Sequence, residues 1–296
     1  MSTCTLCPRH CAVDRTVRRG YCHAPDGFLV ARAALHRWEE PCISQLGGSG
    51  TVFFSGCNLS CVFCQNQAIS RGDAGAPVSD RRLFEIFFEL AEQGAENINL
   101  VTPSHYTDRL IPVLQSAKAE GLSIPIVWNS SAYESVKSIR ALSGLVDIYL
   151  PDFKYADAKT AARYANAPDY PEIALAAIDE MVRQHPTPEF DQNGKMTRGV
   201  IVRHLVLPSQ VGAAKRALKM LFDLYGNSIY YSIMRQYTPM GTLDNYPELN
   251  RPITDREYDR VCNYAAELGI ENGFLQEGDS VGESFIPAFD LQGVLN

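Results

Sequence analysis

From residue 51 onward the chain alternates between two kinds of segment, and few folds accommodate that alternation. Apolar, β-rich runs fall near 51–55, 97–101, 124–128, 146–150, 199–206, 229–234 and 272–276. Helical patterns separate them. Leu83, Ile86, Phe87 and Leu90 recur at i, i+3, i+4 and i+7 and mark one face of a helix. Ser79 is placed to cap it and Gly94 to end it. The spacing predicts further helices over 106–120, ending at Gly121, and over 132–142, 171–184, 209–224 and 254–268, with Pro171 at a first helical position. The strands read as nearly continuous apolar runs, as parallel strands covered on both faces do. Repeated strand–helix–strand order yields a doubly wound sheet or a barrel. The polar stretch from Gln184 to Arg198, with Pro186, Pro188 and Gly194, reads as an exposed excursion before the fifth of these strands. The first 46 residues are cysteine-rich with little periodicity, so the chain divides into an appended module at 1–46 and an α/β domain at 47–296.

Directly after the run Thr51-Val52-Phe53-Phe54 come Cys57, Cys61 and Cys64, a C-x3-C-x2-C loop with Phe63 before its last cysteine. Iron–sulfur clusters normally take four cysteines, so three thiolates on a four-iron cluster leave one iron open to another ligand. A structural zinc site prefers four closed ligands, and no fourth Cys or His follows nearby. Disulfides or plain core thiols are the blander alternatives. The start, Met1-Ser2-Thr3-Cys4-Thr5, lacks the basic and apolar regions of a secretion signal. With nine cysteines, a reducing cytoplasm and metal or redox chemistry are the expectation. The loop also lies where a parallel barrel presents the C-terminal ends of its strands, the usual place for an active site.

At 296 residues the chain can bury a substantial core, as one large domain or two smaller ones. No stretch approaches the roughly 20 apolar residues of a membrane span. The formal net charge of −7, with no basic run longer than Arg18-Arg19 or Arg81-Arg82, argues against nucleic acid as the main partner. Cys42 and Cys262 read as packed thiols.

The triplet and its aromatic residue resemble the cluster loop of the radical S-adenosylmethionine (radical SAM) enzymes. That resemblance implies a partial (β/α)6 barrel and a 4Fe-4S cluster on Cys57, Cys61 and Cys64. It also implies SAM bound through its methionyl group to the open iron, and a reductant such as flavodoxin or ferredoxin. SAM cleavage would then give a 5′-deoxyadenosyl radical that abstracts hydrogen from a substrate. In Tyr149-Leu150-Pro151-Asp152-Phe153-Lys154, Asp152 and Lys154 share one face of an extended chain. The pair suits a zwitterionic methionine; exposed, it would be worth under about 1 kcal/mol. Asp-x-Lys at this place is similar to the SAM-binding motif of pyruvate formate-lyase activating enzymes. Trp128-Asn129-Ser130-Ser131 is similar to a Thr-Asn-Gly segment of such enzymes, which makes Asn129 a SAM contact or else a helix N-cap. Arg203 and Gln236 fall on the fifth and sixth strands and are candidates to reach SAM, or ordinary buried polar residues. His105 and His204 read as structural. Where radical SAM enzymes often carry Gly-Gly-Glu, this chain has Thr102-Pro103-Ser104-His105, so Thr102 or Ser104 would take over the amine contacts.

The wider resemblance runs through Cys4-Thr5-Leu6-Cys7-Pro8-Arg9-His10-Cys11, Trp38-Glu39-Glu40-Pro41-Cys42, Ser55-Gly56-Cys57-Asn58, Cys64-Gln65-Asn66, Arg203-His204-Leu205-Val206-Leu207-Pro208 and Gln236-Tyr237-Thr238-Pro239. These are similar to an activase-like subgroup, which implies a glycyl radical enzyme as partner. Modification of a small metabolite or a peptide, or a non-catalytic metal carrier, stands as the alternative.

Cys4, Cys7, Cys11 and Cys22 form C-x2-C-x3-C-x10-C. Four thiolates suit a closed zinc site or a fully ligated second cluster, and His10 or His23 can stand in for a cysteine. Zinc is favoured over free thiols because so unperiodic a segment needs a staple.

Overall fold

The computed structural model describes residues 3–276 and 287–295. Strand β1 (Phe28–His36) lies antiparallel to β2 (Ser49–Phe54), with Val30 opposite Phe54 and His36 opposite Ser49. After β2 the chain forms the cysteine loop and one helical turn, α1 (Gln67–Ser70), then strand β3 (Ala76–Val78), which pairs with β1. A regular repeat follows: α2 (Asp80–Glu92), β4 (Ile98–Val101), α3 (Thr107–Ala119), β5 (Ile126–Ser130), α4 (Val136–Ala141) and β6 (Ile148–Pro151). Two helices, α5 (Ala158–Ala165) and α6 (Tyr170–Gln184), precede the hairpin of β7 (Glu189–Phe190) with β8 (Met196–Leu205). The chain continues through α7 (Val211–Tyr225), β9 (Tyr230–Met234), α8 (Asp255–Leu268) and β10 (Gly273–Leu275).

Strands β2, β4, β5, β6, β8, β9 and β10 run parallel in that spatial order. They are the seven runs expected from the sequence, and the fold is a partial α/β barrel. Alternation along the strands separates two cores. Leu100, Trp128, Tyr149, Val200 and Val202 face the helices and pack with Leu110, Leu114, Ile139, Ile178 and Leu218. Val127, Ile148, Leu150 and Ile201 face inward.

The helix boundaries follow local chemistry. The Ser79 hydroxyl accepts from the Arg82 amide at the start of α2, and Pro171 sits in the first turn of α6. The helix expected over 132–142 is shorter, because the Ser135 hydroxyl caps a start at Val136. Helix α5 has no counterpart among the expected helices; Asp157 caps its eight residues by accepting from the Thr160 amide.

The stretch 1–46 is not uniformly irregular. Residues 28–36 were expected to lack periodicity, yet they form the nine-residue β1 inside the sheet. Alanine, depleted in strands, fills three of its positions, and tertiary pairing overrides that preference. Residues 37–45 turn onto the inner face: Cys42 and Ile43 pack on Val127, Ile148, Leu150, Met196 and Ile201. The Met196 amide donates to the Cys42 carbonyl at 2.8 Å and the Asn97 amide group to the Ile43 carbonyl at 2.6 Å. A division at 46 therefore cuts through packed structure, and the segment without helix or strand is 3–27.

Candidate metal and cofactor site

The loop after β2 is built by its neighbours as much as by its own sequence. The Gly56 amide donates to the Ile69 carbonyl at 2.7 Å and the Cys57 amide to the Cys22 carbonyl at 3.1 Å. Asn58 donates its side chain to the Tyr133 carbonyl at 2.7 Å, and the Val62 amide donates to the Tyr164 carbonyl at 2.9 Å. Arg9 clamps the loop from outside: its guanidinium donates to the Asn58 carbonyl at 2.8 Å and the Asn166 carbonyl at 2.7 Å. That guanidinium also stacks 3.9 Å over the Tyr21 ring. Gly56 has φ +93, and a Cβ there would lie 2.6 Å from the Cys22 carbonyl oxygen, so only glycine fits.

Cys57, Cys61 and Cys64 all border one open cavity of about 220 Å³. Burial is the main influence on two of the thiols: Cys61 is pushed up to about 12, with Lys154 opposing, and Cys64 is raised as well. Left alone they stay protonated, and a bound cation is what makes such thiols thiolates. The Tyr155 hydroxyl donates to the Cys61 sulfur at 3.3 Å and the Leu59 amide to the Cys57 sulfur at 3.4 Å. Phe63 packs edge-on against Tyr155, Tyr164 and Tyr237 and borders the same cavity. Three thiols with hydrogen bonds to sulfur and no fourth protein thiol on the cavity suit a cluster with one open iron.

Across the cavity stands a charged group. Lys154 Nζ lies 2.6 Å from Asp152 Oδ2, and Arg203 Nε lies 2.7 Å from Asp152 Oδ1. Arg203 also donates to Asn129 Oδ1 at 2.7 Å and pairs with Glu39 at 3.3 Å. Burial pushes the Asp152 carboxyl up, but Arg203 and then Lys154 outweigh it and hold it below the usual carboxylate range. Burial likewise favours the neutral form of Lys154, but Asp152 more than restores its charge. Tyr170 fixes this strand end: its hydroxyl donates to the Asp152 carbonyl at 2.6 Å and accepts from the Lys154 amide at 2.8 Å.

Of the residues singled out in the sequence, Cys57, Cys61, Phe63, Cys64, Thr102, Asn129, Asp152, Lys154, Arg203 and Gln236 all border this one cavity. Asn129 is buried in β5 and bonds Arg203, so it is no helix cap; Ser135 has that role. Thr102 adopts φ +58 and donates its amide to the Asn129 carbonyl at 2.8 Å. Left-handed geometry at a β-branched residue is a true outlier. Ser104 is not among the residues bordering the cavity: it is buried in the turn Ser104–Tyr106, beside Glu134, because the 3-10 turn after Pro103 carries it away. His105 and His204 are buried and bond the Ser55 and Phe153 carbonyls.

The residues not assigned from sequence are Glu39, Tyr155 and Tyr170. Glu39 stands in the quoted Trp38-Glu39-Glu40-Pro41-Cys42 segment without a role of its own there, and only the packing of 37–45 reveals that it reaches Arg203.

Residues 46–165 match the 4Fe-4S single cluster domain family. An uncharacterized protein of Methanocaldococcus jannaschii is 28% identical over 278 residues, which is 90% of this chain and 75% of that protein. Among solved structures, Streptococcus suis SuiB bound to precursor peptide SuiA superposes with a TM-score of 0.51 at 12% identity, over 75% of this chain and 46% of that one. A domain of pyruvate-formate lyase-activating enzyme from Bacteroides vulgatus superposes with a TM-score of 0.44 at 11% identity, over 62% of this chain and 100% of that domain. The likeness to SuiB is one of fold. Among the described residues no helix is long and apolar enough to cross a membrane.

Proposed function

We propose that this chain, whose fold and cluster loop are those of the radical SAM superfamily, generates a 5′-deoxyadenosyl radical to activate a glycyl radical enzyme. The observation that carries this reading is the single cavity shared by three cluster-type thiols and the Asp152–Lys154–Arg203 group. A cluster bound to Cys57, Cys61 and Cys64 would supply one electron to the SAM sulfonium, splitting it into methionine and the radical. The chain's own residues bind and orient. Lys154 offers a cation to the methionyl carboxylate and Asp152 an anion to the amine. Asn129 presents its amide to the ribose or carboxylate. Leu59, Phe63 and Val101 give the cavity apolar wall that limits water. Activation of a partner's glycine is supported by the likeness of Asp152-x-Lys154 to the activating enzymes.

The test is oxygen-free. Reconstituted protein reduced with dithionite should cleave SAM and release 5′-deoxyadenosine, and Cys57→Ala should abolish release. Adding a glycyl radical enzyme should yield a protein glycyl radical by electron paramagnetic resonance. SAM cleavage unchanged in Cys57→Ala would overturn the site. Cleavage stimulated only by a metabolite or peptide, with no glycyl radical on any candidate enzyme, would overturn the activase reading in favour of direct modification.

A further inference from the structure

The cluster loop leans on a second group of thiols that the proposed chemistry does not use. Cys4, Cys7, Cys11 and Cys22 border one small cavity of about 10 Å³, together with Leu6, Val13 and His10. None is in a disulfide. The segment has no helix or strand, so its backbone is wound around these side chains. Cys4 is tied to the far side of the winding: its amide donates to the Val13 carbonyl at 2.8 Å, and its carbonyl accepts from the Ala12 amide at 3.0 Å. The His10 amide donates to the Cys7 carbonyl at 3.1 Å, closing a turn. The Tyr21 amide donates to the Cys11 sulfur at 3.3 Å, as backbone amides do toward metal-bound thiolates. A Cβ at position 20 would lie 3.1 Å from that same sulfur, so Gly20 leaves room for it. Arg9 and Arg15, the nearest cations, are engaged elsewhere, Arg9 with the Asn58 and Asn166 carbonyls and Arg15 with those of His105 and Pro25. Arg15 borders the same cavity, but its guanidinium is taken up by those carbonyls and makes no hydrogen bond to the thiols among the described residues.

We propose that Cys4, Cys7, Cys11 and Cys22 hold one thiophilic divalent cation of the zinc type, and that this centre fixes the cluster loop through the hydrogen bond from the Cys57 amide to the Cys22 carbonyl. The cavity has room for about one water-sized body, which suits a single ion and not a four-iron cluster. Among the described residues no three Cys, His, Asp or Glu side chains are yet close enough to grip an ion, so binding draws the thiols inward. Binding one zinc ion converts four thiols to thiolates and releases four protons; no electron moves. The four-sulfur set is closed, as in structural sites, and it lets a 25-residue segment without a core of its own fold. The ion then acts on the radical chemistry at one remove, by holding Cys22 under Cys57.

Zinc binding at this centre does not require the proposed activity and is tested on full-length Cys57→Ala/Cys61→Ala/Cys64→Ala protein, which has no cluster loop thiols. Metal analysis of that protein after incubation with zinc should find one zinc per chain, released in step with titration of four thiols by an organomercurial. A zinc content below a tenth per chain, or four irons with sulfide in its place, would overturn the proposal. On wild-type protein, stripping zinc with a chelator should speed hydrogen exchange in the peptide containing Cys57 at least tenfold, and zinc should restore it. Unchanged exchange would refute the link between the two sites. Cys11→Ser, which keeps three thiols, should bind zinc at least tenfold more weakly if it folds; the chelation experiment stands without it.

Discussion

Arg203 on β8 reaches Asp152 at the end of β6 with Nε and Oδ1 2.7 Å apart, and the two backbones are bridged at the same residues. The pair is largely buried and shares its carboxylate with Lys154. Asp152→Asn would leave two cations facing each other with no anion between them, a loss on the order of 3–5 kcal/mol. The depressed Asp152 pKa has a defined pH signature. Its contribution is fully present above the unfolded carboxylate value of about 4 and is lost as pH falls through the lower folded value. Urea unfolding from pH 7 down to 2 should therefore show a flatter acid limb in Asp152→Asn than in wild type.

Glu40 behaves in the opposite sense. Burial is the main cause that raises its carboxyl from 4.5 to about 7, with Arg203 opposing and Glu39 adding. One of its oxygens is buried without a hydrogen-bond partner. A carboxyl raised on folding stabilises the fold fully below its unfolded pKa, and that contribution is lost as pH rises through the folded value. Glu40→Gln stays neutral throughout. Its stability advantage should open between pH 4.5 and about 7 and level off above, at about 3 kcal/mol or less. Thermal melts at pH 4 and pH 8 measure it; equal shifts at both pH values would contradict a protonated Glu40.

Thr102 separates backbone from side chain. Its φ of +58 costs a β-branched residue about 1–3 kcal/mol. Thr102→Gly should gain about 1 kcal/mol after the entropy cost of glycine, and if the residue serves SAM through its carbonyl, SAM cleavage should persist. Thr102→Val keeps the strain and removes the hydroxyl. Cleavage lost in both the glycine and the valine variants would assign the hydroxyl instead.

Gly56→Ala should be more damaging than its size suggests. Both the positive φ and the contact with the Cys22 carbonyl oppose a Cβ. The expected loss is about 1–3 kcal/mol, with iron uptake falling in parallel. Iron and sulfide analysis of reconstituted protein would report it.

Tyr155→Phe removes the hydroxyl that donates to Cys61 while leaving the ring packing. Hydrogen bonds to cluster sulfur make reduction easier, so the variant's midpoint potential should move to a more negative value with cluster content unchanged. A spectroelectrochemical titration decides the direction.

The parallel strands were legible because each is an unbroken apolar run set between caps and glycines, and the cluster loop because its cysteines are close in sequence. Asp152 and Lys154 were legible for the same local reason, two residues apart on one strand end. Strand β1 was hidden by its alanines, and α5 by having only eight residues for a periodicity to show in. Ser104 does not border the cavity, because nearness in sequence to Thr102 does not survive the turn that follows Pro103. Glu39, Arg9 and Tyr170 act through contacts made far along the chain, and no spacing encodes those.

Glu39 and Arg203 are 164 residues apart, yet they meet at the floor of the cavity. The amide of Met196 and the carbonyl of Cys42 close the same long loop. Contacts of that separation form late, after their chain entropy has been overcome. An emerging polypeptide would display all seven amino-terminal cysteines of the two metal-type groups well before β8 exists to complete the cavity. Metal acquisition and pocket completion are thus separable in time: thiol ligation can precede the finished fold, whereas the charged floor that would hold a cosubstrate cannot.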